Sequence, residues 1–147
     1  MSYLEDFAAG QKYESGRILV SADKIRAYAA EFDPQPFHLD DAAARGSLFG
    51  GLAASGWHTA SLTMNLLVRS ELRPAGGFIG AGVDELRWPG PVRPGDELHL
   101  VCEVLETRES RSRPTHGLMR VRVNTLNQRS ETVQTFVATL LVERRPR

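Results

Sequence analysis

The chain has 147 residues, enough to bury a core without disulfide or metal staples, and its length suits one domain spanning 1–147. Hydrophobic residues make up 41% and charged residues 24%, which excludes the disordered and fibrous classes. Eighteen basic and eighteen acidic side chains cancel, so the strong field of a general nucleic-acid binder is missing.

A single cysteine, Cys102, leaves no internal disulfide and no cysteine cage for a metal. It stands in the strand-like run Leu98–Val104, where packing is the ordinary role of a thiol. The opening Met1–Phe7 lacks the basic and apolar regions of a secretion signal, and no apolar run has the length of a membrane span. The expected setting is the cytoplasm, with neither membrane nor nucleic acid as a partner.

In chain order, Lys12 to Val20 reads as an opening strand. Ser21 offers a capping hydroxyl and Asp23 a first-turn charge to a helix whose apolar residues Ile25, Tyr28, Ala29 and Phe32 recur at helical spacing, which predicts a helix over Ala22–Phe32. Asp33-Pro34-Gln35-Pro36 ends it, because proline breaks the hydrogen-bond ladder and disfavours helical geometry in the residue before it. A short helical stretch follows near Asp40 to Ala44. Small residues then lead into Ser55, the expected cap of a mostly buried central helix running to about Leu72.

Beyond Gly76-Gly77 come four strand-like runs: Phe78–Trp88, Glu97–Glu106, Gly117–Leu126 and Thr132–Glu143. The third alternates Met119, Val121 and Val123 with Arg120, Arg122 and Asn124. Pro94-Gly95-Asp96 and Asn127–Ser130 read as turns, so the runs form an antiparallel sheet. A buried helix followed by such a sheet predicts an α+β architecture with the sheet wrapped round the helix.

The chemistry concentrates in Phe32-Asp33-Pro34-Gln35-Pro36-Phe37-His38. A carboxylate and an imidazole stand five residues apart across two stiffening prolines. Such a pair can share a water, one group taking its proton and the other delivering a proton elsewhere. By spacing alone, a turn aspartate and a loop histidine satisfied by hydrogen bonds account for the same residues.

The segment resembles the signature of the MaoC-like dehydratases and R-specific enoyl-CoA hydratases: aspartate, any residue, asparagine, proline, an aliphatic residue and histidine. Asp33, Pro36 and His38 match, and Phe37 fills the apolar slot. Ala54-Ser55-Gly56-Trp57-His58-Thr59-Ala60-Ser61-Leu62 resembles the family's glycine-led helix, and Pro91–Asp96 its proline-glycine-aspartate turn. The resemblance implies a hot-dog fold, a homodimer or higher even oligomer, and action on coenzyme A or acyl-carrier-protein thioesters without metal or other cofactor. It makes Asp33 and His38 the pair that holds the catalytic water. The Gly56 amide would receive the thioester carbonyl, where a side chain would crowd the substrate. Two departures stand out: Gln35 where the signature has asparagine, and Phe32 where a glycine is common, adding bulk beside the acyl pocket. Ser55, Trp57 and His58 are further substrate-binding expectations. For His58, a place in the pocket and a core histidine bonded to a carbonyl stand level.

His99 and His116 show no metal-ligand spacing. Arg108, Arg111 and Arg113 fit a solvated hairpin loop or a grip on cofactor phosphates, and Arg87 and Arg93 are alternative phosphate partners. The resulting expectation is a hydratase or dehydratase of acyl thioesters, set against a thioesterase and against a non-catalytic acyl-thioester-binding module.

Overall fold

The computed structural model describes residues 1–147 and shows six strands and four helices. A one-turn 3-10 helix at Leu4–Asp6 precedes β1 (Lys12–Glu14) and β2 (Ile18–Leu19), two short strands where the sequence predicts one. Ser15-Gly16-Arg17 interrupts them, and the Ser15 hydroxyl there accepts from the Leu100 amide. Helix α1 spans Ala22–Phe32 as predicted, capped by Ser21 Oγ accepting from Lys24 N–H. A helix absent from the sequence reading, α2 (Pro36–Leu39), carries Pro36 at its first position, where the missing N–H costs nothing. Helix α3 (Asp41–Arg45) is capped by Asp40. The central helix α4 spans Gly56–Val68, ending four residues before the predicted limit.

Strands β3 (Ile79–Arg87), β4 (Glu97–Glu109), β5 (His116–Leu126) and β6 (Thr132–Glu143) complete an antiparallel sheet of order β1-β4-β5-β6-β3, with β2 also on β4. Alternation decides which face is buried. Leu98, Leu100, Cys102 and Val104 of β4 meet Met119, Val121 and Val123 of β5 and Leu140 and Val142 of β6 in one cluster. Leu66 and Leu67 of α4 pack into the same cluster. This is the expected sheet wrapped round a helix, α+β in class and hot-dog in shape. Cys102 is fully buried, and burial pushes its thiol up to about 12, so it stays protonated and unreactive.

The segment between α3 and α4 sets the entry to the central helix, and one arginine holds it. Arg93 Nη1 donates to the carbonyl oxygens of Gly51 at 2.8 Å and Leu52 at 3.4 Å, and Nη2 donates to that of Phe49. Asp41 accepts from the Leu52 amide at 3.0 Å. Arg93 is itself steadied by its turn, where its amide donates to Asp96 Oδ2 and Gly95 adopts φ +88°. The guanidinium is thus committed to the protein's own carbonyls rather than free for a phosphate. Replacing Arg93 by Met strands those carbonyls, and chemical denaturation is expected to show a loss of about 1–3 kcal/mol. Unchanged stability would contradict the clamp.

Candidate active site

Because Pro34 ends α1, Asp33 leaves the helix at φ −152° while its amide still donates to the Ala29 carbonyl. Its carboxylate turns toward the start of α4. There Ser55 Oγ donates to Asp33 Oδ2 at 2.7 Å and accepts from the Trp57 amide at 3.3 Å, so one hydroxyl caps the helix and holds the carboxylate. Gln35 Nε2 donates to the other oxygen, Oδ1, at 2.5 Å. Gln35 therefore reaches the aspartate directly, and the longer side chain serves as a donor to it.

His38 sits in α2, 4% exposed. Its Nδ1 lies 2.6 Å from the Ala53 carbonyl oxygen. A carbonyl only accepts, so Nδ1 carries the proton and Nε2 faces Asp33 Oδ2 at 3.3 Å. The Ala53 amide donates to the Phe37 carbonyl in return, pinning α2 to the segment that leads into α4. Phe37 and Phe49 pack on the ring at 4.5 and 5.8 Å between centroids.

Burial works against charge on Asp33. The hydrogen bonds from Gln35 and Ser55, with the neighbouring His38, outweigh it and hold the carboxyl below the ordinary aspartate value. The carboxylate is therefore ionised at neutral pH, opposite an imidazole nitrogen that bears a lone pair whenever the ring is neutral.

Asp33 and His38 line one cleft of about 440 Å³ with Gly56, Trp57, Thr59 and an apolar wall that includes Phe49, Trp88 and Val92. The Gly56 amide, first in α4, has no hydrogen-bond partner within the chain and lies at the positive end of the helix dipole. A Cβ on Gly56 would fall 2.6 Å from Trp88 Cε2. The indole packed on it therefore requires the glycine, a constraint beside the crowding of substrate expected from the sequence.

Of the five expected binding residues only Trp57 lines the cleft; Gln35 and Ser55 hold Asp33 instead, and Phe32 and His58 lie elsewhere. Phe32 is 64% exposed, outside the cleft, against Tyr28 at 5.1 Å. His58 is buried and stacked on Tyr28, 4.7 Å away and 7° from parallel, and it does not line the cleft. It is thus the core histidine of the second expectation, but its Nδ1 has no hydrogen-bond partner and so lacks the expected carbonyl bond. Burial, aided by Lys24, lowers its pKa and keeps it neutral. Arg87, Arg108, Arg111 and Arg113 lie off the cleft, and no group of His, Cys, Asp and Glu is placed to hold a metal ion. No helix is long and apolar enough to cross a membrane.

Sequence reasoning missed the Ala53 carbonyl and Trp88. A carbonyl leaves no side-chain signal. Trp88 closes a strand-like run, and only the register of β3 on β6 brings it over Gly56.

The MaoC-like domain model matches residues 6–127. The chain is 30% identical over 141 residues to the uncharacterized protein YdeM of Bacillus subtilis, covering 96% of this chain and 99% of that one. It superimposes on the crystal structure of the MaoC-like dehydratase from Rhodospirillum rubrum with a TM-score of 0.95 and 56% identity over the whole of both chains. For R-hydratase PhaJ1 from Pseudomonas aeruginosa the TM-score is 0.77, with 26% identity over 97% of this chain and 86% of that one. With that fold, and a carboxylate and imidazole facing each other at the capped end of its central helix, the chain belongs to the MaoC-like family, whose members include dehydratases and hydratases.

Proposed function

We propose that this protein is a hydro-lyase, a single catalytic domain that reversibly adds water to a 2-enoyl thioester to give the (R)-3-hydroxyacyl thioester. The acyl carrier is coenzyme A or acyl-carrier protein. The observation that carries this reading is the facing of Asp33 Oδ2 and His38 Nε2 at 3.3 Å, in the same cleft as the unpartnered Gly56 amide.

Two acceptors that face each other need a proton between or beside them. A water can donate one O–H to each, which fixes its position and leaves an oxygen lone pair aimed at the substrate. As that oxygen bonds to the β-carbon, one of the pair takes the water proton, and electron density moves through the α-carbon to the thioester oxygen. The Gly56 amide and the α4 dipole stabilise that oxygen, a contribution of about 3–4 kcal/mol for one well-placed donor. A proton then returns to the α-carbon, so the net change is H and OH added across the double bond. Every step is proton transfer or attack by water, and the reading includes no metal or redox cofactor. Ser55 and Gln35 orient the carboxylate, and Trp57 lies against the substrate.

The reading also includes a cytoplasmic homodimer or higher even oligomer. Trp57, Met64 and Val68 form one exposed apolar stripe on α4, and Ile79 and Val83 are exposed on β3. β3 is the longer of the two edge strands of the sheet, where a second copy can continue the hydrogen-bond ladder.

Asp33→Asn and His38→Gln are each expected to lower kcat/KM for crotonyl-CoA hydration by about 10²–10⁴, followed by loss of enoyl absorbance beside a free-thiol assay. Thiol release at enzymatic rates would show a thioesterase, and binding without either product would show a non-catalytic module.

Because the Asp33 pKa is depressed on folding, its stabilising contribution is present above the unfolded aspartate value and is lost as pH falls through the lower folded one. Ser55→Ala removes a donor to the charged form and a helix cap. Carbon-13 NMR of the Asp33 carboxyl is expected to show its titration moving upward, with about 1 kcal/mol of stability lost. An unmoved titration would contradict the role given to Ser55. Sedimentation is expected to give at least twice the 16.3 kDa chain mass, and Val83→Asp to shift it toward the monomer. A monomeric wild-type protein would refute the assembly.

A further inference from the structure

Trp88 is the one large side chain of the cleft whose position is dictated from deep inside the fold. Its indole Nε1–H donates to Gln134 Oε1 at 2.8 Å. Gln134 Nε2 donates to Thr63 Oγ1 at 3.0 Å, and Thr63 Oγ1 lies 2.7 Å from Thr125 Oγ1. Gln134 is on β6, Thr63 on α4 and Thr125 on β5, and all three are fully buried. This chain of hydrogen bonds satisfies both ends of the glutamine amide without solvent.

The network fixes where the six-membered ring lies. A Cβ built on Gly56 would meet three of its carbons, Cε2, Cδ2 and Cζ2, at 2.6–2.8 Å, so the ring stands directly on the Gly56 backbone. Trp57 meets it edge to face, 5.3 Å away at 81°. Beyond the indole Nε1 lies the fully buried Gln134–Thr63–Thr125 chain. An acyl tail pushed past Trp88 would have to break those hydrogen bonds in a dry interior, where an unpaired polar group is costly.

We propose that Trp88, held by Gln134, is the specificity-determining residue that closes the acyl subsite beside Gly56 and restricts the protein to short acyl groups. Gln134 acts as a positioning residue through the indole. The proposal rests on the placement of the thioester carbonyl at Gly56 under Proposed function. It adds the substrate class: a short acyl chain, with the carrier outside the cleft.

Calorimetry with butyryl-CoA and octanoyl-CoA, saturated thioesters that cannot be hydrated, reads acyl length without turnover. In an open apolar pocket each added methylene tightens binding about fourfold. The wild-type protein is expected to bind the two within about threefold of each other, the added methylenes finding nothing to enter. Trp88→Leu, with cooperative thermal unfolding as the check on folding, is expected to favour octanoyl-CoA by at least about tenfold. Gln134→Leu keeps the ring but removes its anchor, and should shift the ratio the same way by a smaller factor. A wild-type protein that already prefers octanoyl-CoA by about tenfold overturns the proposal. So does a wild-type ratio in folded Trp88→Leu or Gln134→Leu protein. The expected binding pattern without crotonyl-CoA hydration would sink the lyase reading and leave this one standing. A protein that binds neither thioester overturns this proposal, and crotonyl-CoA hydration decides the lyase reading separately.

Discussion

The site depends on one hydroxyl. Ser55 Oγ accepts from the second amide of α4 and donates to Asp33, so the capping of the central helix and the orientation of the carboxylate are one event. The helix cannot start at Gly56 without placing an O–H donor against Asp33. Asp33 cannot point elsewhere without leaving that donor unpaired in a buried position. Ser55 is wholly buried, so water cannot replace either partner cheaply. The free Gly56 amide at the same helix start is a consequence of the same geometry, since the first N–H groups of any helix lack intrahelical partners.

Around that hydroxyl the fold fixes the imidazole by a different route. α2 is one turn long and has little stability of its own. It is held by exchange with the segment before α4: Phe37 carbonyl with Ala53 amide, and His38 Nδ1 with Ala53 carbonyl. Arg93 and Asp41 then hold that segment at Phe49, Gly51 and Leu52. Both members of the Asp33–His38 pair are thus referred to the entry of α4, one through Ser55 and the other through Ala53. Short local elements keep a 3.3 Å separation because both are tied to the segment Ala53–Ser55.

Much of this was legible in the sequence, for physical reasons that can be named. Ile25, Tyr28, Ala29 and Phe32 carry the period of a helix, and Ser21 and Pro34 mark its ends, so α1 was read to its true limits. The strict alternation of Met119, Val121 and Val123 located β5 and its buried face. The opening segment reads as one strand because its residue pattern gives no sign of the break over Ser15–Arg17. α2 escaped because its only signal is a proline at its first position, which also reads as a helix stop. Within the site, Asp33 and His38 were visible as paired chemistry, but the reason for Gly56 was not. That reason is the Trp88 indole, distant in sequence and held by Gln134, Thr63 and Thr125, and pairwise spacing carries no trace of it. Phe32 adjoins Asp33 in sequence and His58 adjoins the cleft residues Trp57 and Thr59, yet neither lines the pocket. One residue along a helix rotates a side chain by about 100°, enough to carry both away from the cleft.

The central claim is that the protein adds the oxygen of water to the β-carbon of an enoyl thioester. Incubation with crotonyl-CoA in oxygen-18 water, followed by mass spectrometry of the products, tests it directly. The account predicts an intact thioester carrying one labelled oxygen, located by fragmentation on the β-hydroxyl. Label in the carboxylate of a free acid, with unlabelled β-carbon and released coenzyme A, would contradict it.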